Sequence, residues 1–318
     1  MSKANILVTG IIPEQGLTKL RETFDVFYDP EIETREWILE HLAEYDGLLL
    51  MGTKADKELI DAGKNLKIIT ANGVGFDHID IEYAKQKGIV VSNCPQGVRV
   101  PTAEMTFALL LAATRRLYFY DKVVREGDWI DVSEQKYMGM SLQGKTLGVY
   151  GFGRIGSEVA KFAQVFGMDV IYNDVHRLDE ALEQKLGVRY VDFDTLITSA
   201  DVLTLHAPAL PSTAGIINAE VFSKMKDTAY LVNAARGALV NQNDLIEALA
   251  THQIAGAGLD VFETEPDIPE ALRKLDNVIM APHAGTGTLE ARTTIAKEAS
   301  ENLISYLVDG KALNQVNK

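Results

Sequence analysis

The stretch KTLGVYGFGRIG, residues 145–156, joins an apolar run of strand type to three glycines spaced G-x-G-x-x-G. In a strand–turn–helix unit this spacing suits a dinucleotide. Gly151 makes the tight turn, Gly153 lets the backbone approach the pyrophosphate, and Gly156 allows the helix to pack closely on the strand. The residues that follow form an amphipathic helical pattern, with Ile155, Val159, Phe162, Ala163 and Phe166 on one face. The stretch therefore predicts a dinucleotide-binding domain.

An acidic residue about 20 positions further along the chain strengthens this prediction. Asp174 ends the next predicted strand, where a carboxylate is expected to bind the ribose 2′-hydroxyl. Because the same carboxylate would repel a 2′-phosphate, NAD is favoured over NADP. His176 and Arg177 follow closely and keep NADP possible, although a solvated loop is their simpler interpretation.

Strand-like apolar runs alternate with helical patterns along the chain, in two series. The first has its runs at 5–10, 25–28, 47–51, 67–71 and 89–92, and the second at 145–150, 169–174, 201–208, 229–237, 255–260 and 277–283. Short apolar strands separated by helices are typical of parallel sheets covered on both faces. We therefore predict an α/β protein with two doubly wound parallel-sheet domains.

A helical segment, residues 101–127, lies between the two series. Pro101 suits the first turn of a helix, and the stretch Met105–Leu117 is apolar on most sides, which indicates a helix buried against a large surface. A connector between domains and an oligomer interface are both consistent with it. The last helix, near 288–308, is expected to return to the first domain. The predicted domains are 1–99 with 289–318, for the substrate, and 100–288, for the dinucleotide.

Composition limits the partners of this protein. Its 318 residues, 47% apolar and 24% charged, exceed what one ordinary core accommodates. A net charge of -14 argues against nucleic acid, which requires a basic face. The longest apolar run, 107–113, is too short for a membrane span, and no signal-peptide pattern opens the chain. The single cysteine, Cys94, excludes an intramolecular disulfide and a cysteine-rich metal site. We expect a soluble cytoplasmic protein with no metal.

Polar residues follow most strands of the second series. In open parallel sheets, ligands bind beyond the carboxyl ends of the strands. The residues at these positions are Asp174, His206, Pro208, Asn233, Arg236, Asp260 and His283. Each alone is explained by a turn, a cap or a surface charge, but together they predict a ligand site along this edge. In the first series, Gly73 and Gly75 leave backbone N–H groups to hold an anion, although a tight turn explains them more simply.

The stretch IMAPHAGTG, residues 279–287, places His283 directly after a strand and among small residues. A satisfied imidazole in a turn is one interpretation, and a proton donor beside a ligand is the other. A carboxylate next to the ring would favour the imidazolium and so provide a donor at neutral pH. Glu263 and Glu265 both lie in the segment FETEP, and spacing does not separate them.

Taken together, these motifs resemble those of the D-isomer-specific 2-hydroxyacid dehydrogenases over nearly the whole chain. The resemblance is carried by NGVGFDHID, VPTAEMTFALLL, GKTLGVYGFGRIG, HAPALPSTAGIIN, LVNAARGALVNQNDLIEAL, GLDVFETEP and APHAGTGT. It implies a Rossmann cofactor domain and a flavodoxin-like substrate domain with a cleft between them. It also implies a homodimer joined through the cofactor domains, in which the helix from Pro101 takes part.

The resemblance also assigns roles to residues that match the family's motifs. Arg236 would bind the carboxylate and carbonyl of the substrate, and His283 would be the acid/base. Glu265, the glutamate before proline, would pair with that histidine. The backbone of Val74 and Gly75 would hold the substrate carboxylate.

Most of the cofactor contacts implied by the resemblance lie in the second series. Asp260 would meet the nicotinamide carboxamide. The residues expected to contact the dinucleotide are Thr102, Gly151, Gly153, Arg154, Ile155, Gly156, Asp174, His206, Ala207, Pro208, Thr213, Ala234, Ala235, Asp260 and Gly285. One departure from the family pattern is Ala281, where many relatives have threonine before Pro-His.

The activity implied is an NAD-dependent, reversible reduction of a small 2-oxo acid to the D-2-hydroxy acid. The substrate loops are most similar to those of reductases acting on glyoxylate, hydroxypyruvate or 2-ketogluconate. Two alternatives keep the same fold: an NAD(H)-sensing interaction protein similar to transcriptional corepressors, and a dehydrogenase of formate or phosphite.

Overall fold

A computed structural model describes residues 3–318 of the protein, and the chain divides there into two compact units. One unit comprises the chain up to Pro101 and again from Thr286 to the end, and the other is Thr102–Gly285. The first boundary lies two residues after the predicted limit at 99, and the second lies three residues before the predicted limit at 289. Because the chain leaves the first unit and returns to it, that unit is discontinuous.

Twelve strands and thirteen helices build the two units within residues 3–318. The strands are β1 Asn5–Val8, β2 Asp25–Phe27, β3 Gly47–Leu50, β4 Ile68–Ala71, β5 Val90–Ser92, β6 Thr146–Tyr150, β7 Asp169–Asn173, β8 Val188–Tyr190, β9 Val202–Leu205, β10 Tyr230–Asn233, β11 Gly256–Leu259 and β12 Val278–Met280. The helices are α1 Glu14–Thr23, α2 Arg35–His41, α3 Lys57–Ala62, α4 Ile81–Gln86, α5 Arg99–Thr114, α6 Leu117–Arg125, α7 Arg154–Val165, α8 Glu180–Leu186, α9 Phe193–Ser199, α10 Ala219–Lys224, α11 Gln242–Ala250, α12 Glu270–Arg273 and α13 Leu289–Asp309. All pairings between these strands are parallel, which confirms the predicted α/β class.

The first unit contains a five-stranded sheet in the order β2-β1-β3-β4-β5, the flavodoxin-like order. Its central strands β3 and β4 are buried along their whole length because helices cover both faces. The last helix, α13, packs on α1 so closely that a Cβ on Gly16 would lie 2.3 Å from the Cβ of Ala296. The hydroxyl of Ser300 also donates to the carbonyl of Gly16 at 3.0 Å. These contacts explain why the final helix belongs to this unit.

The second unit contains a seven-stranded sheet in the order β12-β11-β10-β9-β6-β7-β8. The chain order reverses between β6 and β9, which are neighbours, so a topological switch point lies at the carboxyl ends of these two strands. The prediction of six strands in this series was one short, because β8 is only three residues long and one of them, Arg189, is exposed. Such a strand leaves almost no apolar signal in the sequence.

The segment between the two strand series is two helices, where the sequence had suggested one apolar helix continuing to Leu117. Helix α5 ends at Thr114, and Arg116 then adopts a left-handed conformation with φ of 52°. Eight of the sixteen residues of α5 are buried, and Phe107 and Leu110 belong to the same core cluster of the second unit as Val159. Helix α6 is amphipathic, yet none of its residues is buried. No helix within residues 3–318 is long and apolar enough to cross a membrane.

Candidate active site

The glycine loop has the shape that a dinucleotide requires. Gly151 has φ of +90°, and a Cβ there would lie 2.5 Å from the amide nitrogen of Ala207. A Cβ on Gly156 would lie 2.4 Å from the carbonyl oxygen of Gly151, so helix and turn are in close contact. At Gly153, by contrast, a Cβ would meet no atom of the described residues within 4 Å. The backbone is therefore open to a ligand at the residue that precedes α7, which begins with Arg154 and Ile155.

Asp174 lies beside this loop, after β7. Its carboxylate accepts a hydrogen bond from the backbone N–H of Phe152 at 2.7 Å and another from that of His176 at 2.8 Å. The first bond ties the acid to the glycine loop, and the second holds the turn that leads away from the strand. Each carboxylate oxygen retains a further lone pair, so the group can still accept from a ribose hydroxyl.

His283 and Glu265 form a direct pair at the end of β12. The Nδ1 atom of His283 lies 2.8 Å from Oε2 of Glu265, and the two side chains are 50% and 36% exposed. The other oxygen of Glu265 accepts from the backbone N–H of Phe262 at 3.0 Å. With Nδ1 directed at the carboxylate, Nε2 is left to face a ligand. Glu263 has a different contact, accepting from the backbone N–H of Gln242.

Asp260 fixes the loop that carries this histidine. Its carboxylate accepts from the backbone N–H groups of Ala284 at 2.7 Å and Gly285 at 2.8 Å, and its carbonyl accepts from that of His283. The side chain is almost completely buried, and burial raises the pKa of Asp260 above its ordinary value. A Cβ on Gly285 would lie 3.4 Å from the Thr102 methyl, which brings α5 to the same loop. The acid thus positions His283, which adopts φ of 53°.

The loop after β10 carries Arg236. The amide of Asn233 shapes this loop by accepting from Ala235 N at 3.0 Å and donating to the carbonyl of Arg236 at 2.9 Å. The Arg236 guanidinium donates to the carbonyl of Ala235 at 2.7 Å. A Cβ on Gly237 would lie 1.9 Å from the carbonyl of Phe262, so the loop touches the segment that holds Glu265.

His206, after β9, occupies a different environment. Its Nε2 lies 2.9 Å from the hydroxyl of Thr204, and its Nδ1 is buried without a hydrogen-bond partner within residues 3–318. Burial lowers the pKa of His206 from 6.5 to about 3, so the ring is neutral at physiological pH. It therefore cannot serve as the proton donor there. The Thr213 hydroxyl closes the next loop by donating to the carbonyl of Pro208 at 2.7 Å.

The structure brings most of the predicted site residues to one edge. Gly151, Asp174, His206, Ala234, Asp260 and His283 each follow a strand of the seven-stranded sheet at its carboxyl end. Val74 and Gly75 belong to the other unit, where they follow β4, and the carbonyl of Val74 accepts from the side-chain amide of Asn93 at 2.8 Å.

Two groups that shape the site were not identified from the sequence. They are the backbone N–H of Phe262, which holds Glu265, and Gly237, which allows the loops to touch. The glycine directly after Arg236 was the available signal. Within residues 3–318, no group of three or more histidine, cysteine or acidic side chains is placed to hold a metal ion.

The doubly wound sheet, the glycine loop and the acid after β7 together define a dinucleotide-binding protein. Comparison with known proteins gives the family. The family described as D-isomer specific 2-hydroxyacid dehydrogenase, NAD binding domain, matches residues 107–285. The chain belongs to this family, and it is an NAD-dependent oxidoreductase acting on 2-hydroxy acids.

Individual relatives cover almost the whole chain. A glyoxylate reductase of Thermococcus litoralis is 43% identical over 99% of this chain and 97% of its own. The crystal structure of a glyoxylate reductase from Paecilomyes thermophila has a TM-score of 0.89, with 34% identity and 99% of both chains covered. An NADPH-dependent glyoxylate/hydroxypyruvate reductase from Sinorhizobium meliloti, solved with NADP and malonate, has a TM-score of 0.86, with 31% identity, 99% of this chain and 97% of that chain. Because the matching family model describes an NAD binding domain, the cofactor is NAD. The NADPH-dependent relative shows that NADP is compatible with the fold.

Proposed function

We propose that this protein reduces small 2-oxo acids to D-2-hydroxy acids with NADH, and that glyoxylate is its best substrate, ahead of hydroxypyruvate and 2-ketogluconate. The observation that carries the proposal is the His283–Glu265 pair at 2.8 Å, held on a loop that the buried Asp260 fixes. Such a pair is the arrangement expected of a general acid that must hold a proton at neutral pH.

The dinucleotide would be held by the glycine loop and by Asp174, with Thr102, Asp260 and Gly285 near its nicotinamide end. The open space at Gly153 and the carboxylate beside the loop fit this group. When bound, the reduced nicotinamide supplies the hydride that the carbonyl carbon of a 2-oxo acid accepts. NAD rather than NADP is expected to be preferred, because a 2′-phosphate would approach the Asp174 carboxylate.

His283 would deliver the proton. Its Nδ1 faces Glu265, so Nε2 holds the proton that passes to the carbonyl oxygen of the substrate. The carboxylate keeps the imidazolium oriented and offsets its charge while the proton is held. In the oxidation of a 2-hydroxy acid the same nitrogen would accept the proton from the hydroxyl.

Arg236 would bind the substrate and stabilise the charge that develops on the carbonyl oxygen. Its planar guanidinium can hold a carboxylate and the neighbouring carbonyl together. Charge stabilisation by a preorganised donor contributes strongly to catalysis, because the donor is in place before charge develops. Val74 and Gly75 are proposed to hold the same carboxylate through their backbone N–H groups, as the family resemblance implies.

The choice of glyoxylate is supported by the relatives, two of which are glyoxylate reductases and a third a glyoxylate/hydroxypyruvate reductase. The homodimer and the cytoplasmic location implied earlier stay predictions. Measurement of the mass of the purified protein in solution tests the dimer.

The experiment that tests the proposed function is a panel of 2-oxo acids with NADH and with NADPH, followed at the nicotinamide absorbance. We expect the highest kcat/KM with glyoxylate and NADH, and D-configured product from hydroxypyruvate. Formate and phosphite, each offered with NAD, test the alternative substrates. NADH binding without turnover of any 2-oxo acid would contradict the proposal and favour the interaction protein similar to corepressors.

A further inference from the structure

Arg177 lies three residues after Asp174, and its guanidinium is held by Glu183 of α8. The Nε of Arg177 donates to Oε1 of Glu183 at 2.9 Å, and an Nη donates to Oε2 at 3.3 Å, so both carboxylate oxygens are engaged. The guanidinium also lies over the ring of Tyr190, 5.3 Å from its centroid. Arg177 is thus fixed on the side of α8 and β8.

The carboxylate that holds Arg177 is itself fixed. The Glu183 side chain is only 10% exposed, and its Oε1 also accepts from the hydroxyl of Tyr172 at 2.9 Å. That hydroxyl in turn accepts from the backbone N–H of Leu178 at 2.8 Å. Hydrogen bonding to Arg177 lowers the pKa of Glu183, so the carboxylate is ionised at neutral pH. A buried, ionised carboxylate that accepts two hydrogen bonds from a guanidinium competes strongly with a phosphate for that guanidinium.

Arg177 follows, by three residues along the chain, the acid that is expected to distinguish NAD from NADP. The carboxylate of Asp174 bonds the glycine loop through Phe152 N, and the ribose 2′ position is expected beside that carboxylate. A 2′-phosphate is commonly accommodated by an arginine near this position. A relative with this fold is NADPH-dependent, so the fold itself does not exclude NADP. Arg177 is the cation three residues further along the chain, and its Nε and one Nη are directed at Glu183.

We propose that Glu183 is a specificity-determining residue that withholds Arg177 from a 2′-phosphate. Discrimination against NADPH then has two parts. Asp174 repels the 2′-phosphate, and Glu183 holds the Arg177 guanidinium that could otherwise bind this phosphate. The proposal rests on the proposed preference for NADH and extends it to a second residue. It implies that removing Asp174 alone yields only part of the NADPH affinity that the site can reach.

The chain offers a matched control in Glu180. Its Oε1 lies 3.8 Å from Arg177, beyond hydrogen-bond distance, and its side chain is 83% exposed. Glu180→Gln removes the same charge from the same helix as Glu183→Gln but leaves the guanidinium held. Any effect of general charge on the binding of a phosphate therefore appears in both variants, whereas release of Arg177 appears only in one.

The experiment compares Asp174→Ser, Asp174→Ser/Glu183→Gln and Asp174→Ser/Glu180→Gln by equilibrium titration with NADPH and NADH. We expect Glu183→Gln to tighten NADPH binding about tenfold further, the value of one charge-assisted hydrogen bond. NADH binding should change less than about threefold, and Glu180→Gln should reproduce little of the gain. Adding Arg177→Ala to the Glu183→Gln double variant should abolish the gain.

Two results with the Glu183 variant would overturn the proposal. Equal NADPH gains with Glu183→Gln and Glu180→Gln would reduce the role of Glu183 to general charge. A parallel loss of NADH and NADPH affinity would make the pair a structural support of the adenosine site. Should the Glu183 variant fail to fold, Arg177→Ala in the Asp174→Ser background decides: we expect unchanged NADPH affinity, and a loss would show that Arg177 already reaches the phosphate. Because titration needs no turnover, failure of the proposed activity would be distinguishable from failure of this inference.

Discussion

Two histidines follow strands at the same edge of the seven-stranded sheet, and their surroundings are opposite. His283, after β12, is half-exposed and has a carboxylate oxygen 2.8 Å from Nδ1. His206, after β9, has a threonine hydroxyl at 2.9 Å, and its other nitrogen is buried without a partner within the described residues. Burial holds the pKa of His206 near 3. The same residue type in the same topological position is therefore prepared for two different tasks.

The comparison shows that position along a sheet edge selects candidates, while charge partners and burial select the role. An ionised carboxylate favours the imidazolium, and an apolar enclosure favours the neutral ring. A neutral His206 can pack or accept a hydrogen bond near the cofactor loop but cannot give a proton at neutral pH. His283 is the histidine placed to do so.

The largest expected effect comes from His283→Ala. Loss of one general acid should lower kcat by roughly 10²–10⁴-fold, while NADH binding is retained. His206→Gln is the matched variant, and its effect should appear in the KM for NADH rather than in kcat. Steady-state kinetics with glyoxylate, together with NADH titration, checks both variants. A larger loss of kcat for His206→Gln than for His283→Ala would reverse the comparison.

Arg236→Lys tests whether the loop after β10, which lies at the same sheet edge as His283, binds the substrate carboxylate. An ammonium is a point charge on a flexible stem and cannot hold a carboxylate and a carbonyl at once. We expect kcat to fall and KM to rise, together by roughly 10–100-fold in kcat/KM, the value of one hydrogen bond to a charged group. NADH affinity is the control and should remain. Wild-type kcat and KM in this variant would make Arg236 a structural residue of its loop.

Much of this arrangement was readable in the sequence, because it rests on local signals. The alternation of apolar strands with helices predicted two parallel sheets, and the glycine spacing with the acid after β7 predicted a dinucleotide site. The exceptions have physical causes. Strand β8 is three residues long, and the break between α5 and α6 depends on Arg116 adopting a left-handed conformation that side chains of its type rarely take.

The parts of the site that were not readable depend on contacts between distant segments. Spacing alone left Glu263 and Glu265 equivalent, and only the family resemblance chose Glu265, the residue that the fold pairs with His283. The neutrality of His206 follows from the packing around β9, which no motif encodes. The bond from Glu183 to Arg177 likewise joins a helix to a loop through side-chain geometry.

Glu265→Gln tests the carboxylate that distinguishes the two histidines. Reduction needs a protonated His283, so its rate falls as pH rises and the proton is lost. Glutamine cannot stabilise the imidazolium as a carboxylate does, so the falling limb of the pH–rate profile should move to lower pH. Both side chains are substantially exposed, so water screens the pair and the displacement of the limb should be small. An unchanged profile for glyoxylate reduction would separate the pair from the chemistry.

The last prediction concerns stability instead of activity, and it tests the other histidine. His206 has a pKa of about 3 in the folded protein and about 6.5 in the unfolded chain. Between pH 6.5 and pH 3, His206 therefore binds a proton in the unfolded chain but remains neutral in the folded protein. The free energy of unfolding should fall by up to about 1.4 kcal/mol per pH unit from this group as the pH drops from 6.5 toward 3. Above pH 6.5 it contributes no pH dependence.

His206→Gln removes this proton linkage while keeping a side chain that can bond Thr204. Urea unfolding of the wild type and the variant, measured between pH 7.5 and pH 4.5, should show a steeper loss of stability for the wild type. The two curves should run parallel above about pH 6.5, where both side chains are neutral in both states. Parallel curves over the whole range would mean that His206 takes up its proton at the same pH in the folded protein as in the unfolded chain. The contrast between the two histidines would then have to rest on the Glu265 contact alone.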